Sequence, residues 1–162
     1  MSATLARDAD ELTVLWRPLA DIDIEEVAAL EREAHAAPWT SGNFRDALAA
    51  GYAMTVGVAG GRIIAYGVLL FAPGEAQILN LTVAPEARRL GLGRALLKRF
   101  LAEAKARGAA QCFLEVRVSN LPAIELYACE GFAPVARRIG YYPAGAGARE
   151  DALVMRRPLG DL

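Results

Sequence analysis

Arg88, Arg89 and Arg94 bracket Leu90-Gly91-Leu92-Gly93 at the head of an apolar-periodic run, in the stretch EARRLGLGRALL. A helix starting there points unsatisfied backbone N–H groups out of its first turn and carries partial positive charge. Arginines around that end repel it unless an anion sits between them, and glycines clear the space a large anion needs. The pattern predicts a pyrophosphate site. A surface loop with solvated arginines stays open as the plainer reading, because short glycine motifs carry little information alone.

The second group is Glu115, Asn120 and Tyr127, within LEVRVSNLPAIELY. Glu115 falls in a strand expected to be covered by helices on both faces, where burial raises a carboxyl and makes a candidate base. The competing reading is an ion pair with Arg117 on the same strand face. Tyr127 can donate a proton or simply pack, and Asn120 reads first as a helix N-cap. Glu115 also lies about twenty residues beyond Gly91-x-Gly93, where a ribose-binding acid of a dinucleotide site would stand. That alternative stays open, although Leu96 occupies the third glycine position of GxGxxG.

Stepping along the chain, LTVLWRPL predicts a first strand, followed by a helix over 21–36 with Asp23 as N-cap and Glu26 completing a capping box. Thr40 or Ser41 caps a second helix through about Ala50. Three β-rich runs follow at 52–59, 61–72 and 75–84, joined by Gly60-Gly61 and Pro73-Gly74 as hairpin turns, so they should be antiparallel. An amphipathic helix over 94–108 stops at Gly108, a strand spans 111–118, and a helix over 120–131 opens at Asn120 and closes at Gly131. Two strands, FAPVARRI and EDALVMRRPL, flank a Gly- and Ala-rich loop over 140–149. The order predicts an α/β fold, its mixed sheet antiparallel at first and locally parallel where the helix after residue 91 crosses over. Residues 1–11 read as a disordered tail, leaving one domain over 12–162.

With 162 residues, 54% apolar, one compact core is expected. A net charge of −1 gives no overall field for nucleic acid or an anionic membrane, so neither partner is expected. His35 is the only histidine, and Cys112 and Cys129 form no CxxC pair. No metal is expected, and both thiols read as reduced and core-packed. The N-terminal residues contain no apolar leader core and no run long enough to span a membrane, which predicts a cytoplasmic protein.

VAPEARRLGLGRALL together with LEVRVSNLPAIELYACEGF resembles the GNAT superfamily of N-acetyltransferases, whose Q/R-x-x-G-x-G/A signature is met by Arg88, Gly91 and Gly93. EREAHAAPWTSGNF, RRIGYYP and REDALVM extend the resemblance to the RimI-type enzymes within it, while Ile139-Gly140 and AGAGA depart from that pattern. The resemblance implies a single GNAT-type domain, with about four helices and a parallel strand pair at the cofactor site. It implies acetyl-coenzyme A as cosubstrate, its pyrophosphate on the amides of Arg88, Arg89, Leu90, Gly91, Leu92, Gly93 and Arg94. Its pantetheine arm would lie on the strand at Leu81, Thr82 and Val83, with Asn120 further along. Glu115 would be the base and Tyr127 the acid. The substrate implied is the N-terminal alanine of a small-subunit ribosomal protein, with Trp39, Tyr141 and Tyr142 as peptide contacts. Another protein N-terminus, a lysine or a small amine stays open as substrate, as does a silent acyl-coenzyme A sensor.

Overall fold

A computed structural model describes residues 13–160; the tail expected over 1–11 lies outside the described residues. Seven strands form one sheet in the order β1-β2-β3-β4-β5-β7-β6. They are β1 (Leu15–Pro18), β2 (Ala53–Ala59), β3 (Arg62–Ala72), β4 (Glu75–Val83), β5 (Gln111–Arg117), β6 (Ala133–Pro143) and β7 (Arg149–Pro158). Four α-helices accompany them: α1 (Ile24–Ala34), α2 (Ser41–Ala49), α3 (Leu92–Ala106) and α4 (Leu121–Cys129). The expected mixed α/β sheet with four helices is what the chain forms. Among the described residues no helix is long and apolar enough to cross a membrane.

Two compact units divide the chain, the first built from residues up to Leu69 with Asn80–Leu97, the second from Leu70–Leu79 with the residues from Lys98 on. In the first, β1, β2 and β3 are antiparallel, with Leu15 opposite Val58 and Met54 opposite Val68. Ile24, Val27, Phe44, Val56, Tyr66 and Leu69 are buried there. Their spacing explains the helix: Ile24, Val27, Ala28 and Glu31 stand at i, i+3, i+4 and i+7, one face of α1.

The cap expected at Asp23 is not made. Its carboxylate instead accepts from Arg17 at 2.7 and 2.9 Å and from the Ala20 N–H at 2.8 Å. Glu26 leaves the helix start and accepts the Ile63 N–H at 2.7 Å. A bidentate guanidinium outbids a local N–H because both partners are ionised. At α2 the cap falls on Thr40, one of the two residues expected, and closes a capping box: its hydroxyl accepts the Asn43 N–H at 3.1 Å while the Asn43 side chain accepts the Thr40 N–H at 2.9 Å.

In the second unit, β4 and β5 run parallel from Glu75↔Gln111 to Ile78↔Leu114. β5 pairs antiparallel with β7, and β7 with β6. Cys112, Leu114 and Val116 are buried on one face of β5, leaving Phe113, Glu115 and Arg117 on the other. The loop expected over 140–149 shrinks to 144–148, because β6 continues through Tyr141 and Tyr142 to Pro143. Cys129 is exposed, contrary to the expectation of two core thiols, whereas Cys112 is buried and its thiol is pushed up to about 12 by that burial.

Candidate functional site

The arginine-glycine stretch links the end of β4 to α3. After a short 3-10 turn at Pro85–Ala87, Arg89 and Gly91 both take positive φ, 66° and 79°. For arginine that conformation is strained, by roughly 1–3 kcal/mol, and such strain persists where surroundings enforce it. The enforcing element is apolar: Leu92, Ala84, Ala87 and Ile64 form a buried cluster, with Leu90, Val83 and Trp16 packed against it. Leu92 opens the helix, slightly earlier than the expected start after Gly93. The Ala95 N–H bonds back to the Gly91 carbonyl at 3.0 Å. Arg88, Arg89 and Arg94 are exposed around this start. The positive φ favours glycine at Gly91, and a Cβ built there meets nothing within 4 Å, so the space beside it is open. Open space at a helix start and three exposed guanidiniums fit a pyrophosphate.

The same unit contains a buried carboxylate that the sequence reading missed. Glu31 is 2% exposed. It accepts from the Tyr66 hydroxyl at 2.7 Å, the Asn80 amide at 3.1 and 3.2 Å and the Trp39 backbone N–H at 3.1 Å. His35 Nε2 lies 3.5 Å from Glu31 and 2.8 Å from the Thr82 hydroxyl, which donates to the Asn80 carbonyl at 2.7 Å. The chain of bonds ties two predicted site residues together, Trp39 of the α1–α2 connection and Thr82 of β4. Burial and the Glu31 charge raise the Tyr66 phenol far above its usual range. The Trp39 ring stacks on Phe44 at 5.2 Å. A signal was present: Glu31 occupies the apolar face of α1, a position where an acid needs partners. Leu81 and Val83 flank Thr82 as half-buried residues.

In the second unit Glu115 projects from the middle of β5 with its side chain 13% exposed. The expected ion pair is present with a different partner. Arg138 of β6 donates from Nε to Glu115 at 2.8 Å, whereas Arg117 donates to Glu150 at 3.1 Å and to the Pro143 carbonyl at 2.9 Å. The cause is a bulge. Arg138 stands opposite Ala152 and Tyr142 opposite Glu150, so four steps along β6 match two along β7. Gly140 holds the bulge with φ 59° and an N–H donated to Asp151 at 2.8 Å, and Arg137 reaches the same carboxylate at 2.6 Å.

That bulge brings Tyr141 and Tyr142 to Glu115. The carboxylate raises the Tyr141 phenol by hydrogen-bonding its neutral form. Burial, and then the Glu115 charge, push the Tyr142 phenol up to about 12. The two rings meet edge-on at 5.0 Å, with the Arg117 guanidinium 4.5 Å over Tyr142 and that of Arg138 5.5 Å from the Tyr141 ring centre. Glu115 and Arg138 also share a pocket of about 280 Å³ with Phe113, Gln77, Glu75 and Leu70. Tyr127 is 7% exposed and packs edge-on against Phe132 at 5.8 Å, its phenol pushed up to about 12 mainly by burial. Asn120 caps α4, accepting the Ala123 N–H at 3.3 Å.

Comparison with known proteins identifies the family and the fold. The acetyltransferase (GNAT) family model matches residues 22–132. The [ribosomal protein bS18]-alanine N-acetyltransferase of Escherichia coli K12 is 37% identical over 141 residues, 87% of this chain and 95% of that protein. A putative enzyme of the same description from Bacillus subtilis is 34% identical over 135 residues, 82% of this chain and 87% of that one. Among solved structures, the E. coli ribosomal-protein-S18-alanine N-acetyltransferase superposes with a TM-score of 0.85 at 35% identity, covering 91% of this chain and 94% of that one. Ard1 from Thermoplasma volcanium follows with a TM-score of 0.79 at 26% identity, covering 90% and 97%. The dinucleotide oxidoreductase alternative falls with these matches, since its glycine motif was incomplete and the whole fold is accounted for otherwise. The chain belongs to the GNAT family of N-acetyltransferases, and the relatives it matches there include the RimI-type enzyme of E. coli at 37% identity.

Proposed function

We propose that this enzyme acetylates the α-amine of an N-terminal alanine, that of a small-subunit ribosomal protein, using acetyl-coenzyme A. The observation carrying the substrate reading is the 37% identity to the E. coli bS18-alanine enzyme, which spans 95% of that protein. Acetyl-coenzyme A supplies the acetyl group as a thioester. The loop from Arg88 to Arg94 holds its pyrophosphate through exposed guanidiniums and the N–H groups at the start of α3. Main-chain groups at Leu81, Thr82 and Val83 take the pantetheine arm, and Asn120 contributes from the start of α4. Trp39, Tyr141 and Tyr142 receive the peptide.

An α-amine titrates near ~7.7 to 8.0, so most of it is ammonium at neutral pH and cannot attack until a proton is removed. Glu115 is the base: it is held by Arg138, largely shielded from solvent, and on the wall of a pocket. Across the reaction the ammonium loses two protons and the departing sulfur gains one, so one proton leaves through Glu115 to solvent. Tyr127 remains a protonated phenol at any working pH, as its raised value requires. A thiol ordinarily titrates near ~8.5, below that phenol, so Tyr127 hydrogen-bonds the departing sulfur and gives up its proton only in step with its own reprotonation.

Mass spectrometry of peptides differing only in their first residue, incubated with enzyme and acetyl-coenzyme A, tests the assignment. Acetylation confined to the α-amine and fastest with alanine is expected; equal rates on an internal lysine would overturn it.

A further inference from the structure

The geometry points to Arg138 as a counter-ion that trades places with the substrate ammonium at Glu115, holding the carboxylate between turnovers and returning to expel its captured proton. The inference rests on the reading of Glu115 as base. Its observations are geometric. The Glu115–Arg138 pair is lopsided: the acid is 13% exposed and the arginine 56%. The carboxylate is fixed on β5 and mostly covered, where a cation offsets its lost hydration, whereas the guanidinium can swing into water at little expense. Both line the same pocket, so an amine entering it meets the carboxylate already occupied. The two-residue bulge, tied down by Asp151, delivers the Arg138 guanidinium to Glu115, with which it forms its ion pair among the described residues.

An arriving ammonium replaces one cation with another and keeps Glu115 ionised. Once the amine becomes an amide it has no charge to offer, and Glu115 holds a proton. Return of Arg138 restores the ion pair by driving that proton to solvent, because a cation at hydrogen-bond distance favours the ionised carboxyl. The other charged and titratable groups facing Glu115 do not substitute. Tyr141 and Tyr142 from β6 are neutral, Arg117 on β5 is committed to Glu150, and Glu75 from β4 is an acid. Opposite Glu115 on β7 stands Val154.

Steady-state kinetics of R138Q, R138K, E115Q and R138Q/E115Q with an alanine-starting peptide, from pH 6 to 9, test this. R138Q should lower the peptide KM about two- to fivefold, the competition of one partly exposed pair, and shift the acid limb of kcat/KM, which reports the free enzyme, to higher pH. R138K should restore both, and R138Q should change neither in the E115Q background. A raised peptide KM with kcat unchanged in R138Q would make Arg138 a peptide ligand and overturn the exchange. So would an R138Q enzyme altered only in melting temperature. If E115Q turns over like wild type, the base assignment itself fails; if E115Q is slow while R138Q matches wild type at every pH, only the exchange fails.

Discussion

Replacing Glu31 with alanine should destabilise the protein more than any exposed substitution, and the structure sets the size of the effect. The change strands the Tyr66 hydroxyl in the interior and removes the acceptor of the Asn80 amide and the Trp39 N–H. Asn80 and Trp39 are both half-buried and recover part of their loss from water, so together they count as about one further buried donor. At about 1–3 kcal/mol for each buried group left unsatisfied, less the relief of a desolvated carboxylate, the net is about 3 kcal/mol. For a chain of this size that is a fall of roughly 6–12 °C in Tm. Glutamine keeps the volume but turns one acceptor into a donor facing donors, for about 1–2 kcal/mol. Tyr66→Phe in the alanine background should cost less than it does alone, since it removes a group already orphaned. Thermal unfolding by circular dichroism, with urea midpoints, measures all three. A Glu31→Ala protein within about 1 kcal/mol of wild type would refute the reasoning, because it would mean that burying the carboxylate costs as much as its donors return.

Tyr127→Phe should lower kcat while leaving the KM for acetyl-coenzyme A nearly unchanged, since the role proposed for it is at the departing sulfur; titration of both parameters decides it. A native-state thiol reagent should label Cys129 alone, with Cys112 reacting only on unfolding, because burial removes both access and thiolate there. The Arg17 guanidinium holds the Asp23 carboxyl below its ordinary value. Its stabilisation is therefore complete above about pH 4, near the unfolded value, and lost as pH falls through the lowered one. Asp23→Asn should flatten the acid limb of a stability-versus-pH curve.

Legibility in the sequence followed the range of the interactions. The arginine-glycine loop, the Thr40 cap, the Asn120 cap and the amphipathic stripe of α3 are local, and each was readable from neighbours within a few residues. Glu115 was readable as a candidate, but its partner was not. Arg117 is nearer in sequence, yet the bulge around Gly140 decides in favour of Arg138, and no spacing rule encodes a two-residue mismatch between paired strands. Asp23 misled for a related reason, since a cap and a cross-connection to Arg17 draw on the same carboxylate. Glu31 escaped because a helix periodicity search scores apolar residues, while its informative property is an acid standing in an apolar register.

The central claim is that Glu115 takes the proton from an incoming α-ammonium, and the pH–rate profile of Glu115→Gln on an alanine-starting peptide tests it most directly. Turnover at pH 7 should fall by about a hundredfold or more, the range for a general base. It should then recover about sevenfold by pH 9 as the free-amine fraction rises from roughly 14% to 94% for an amine titrating near ~7.8. Wild-type turnover at pH 7 from that variant would contradict the account.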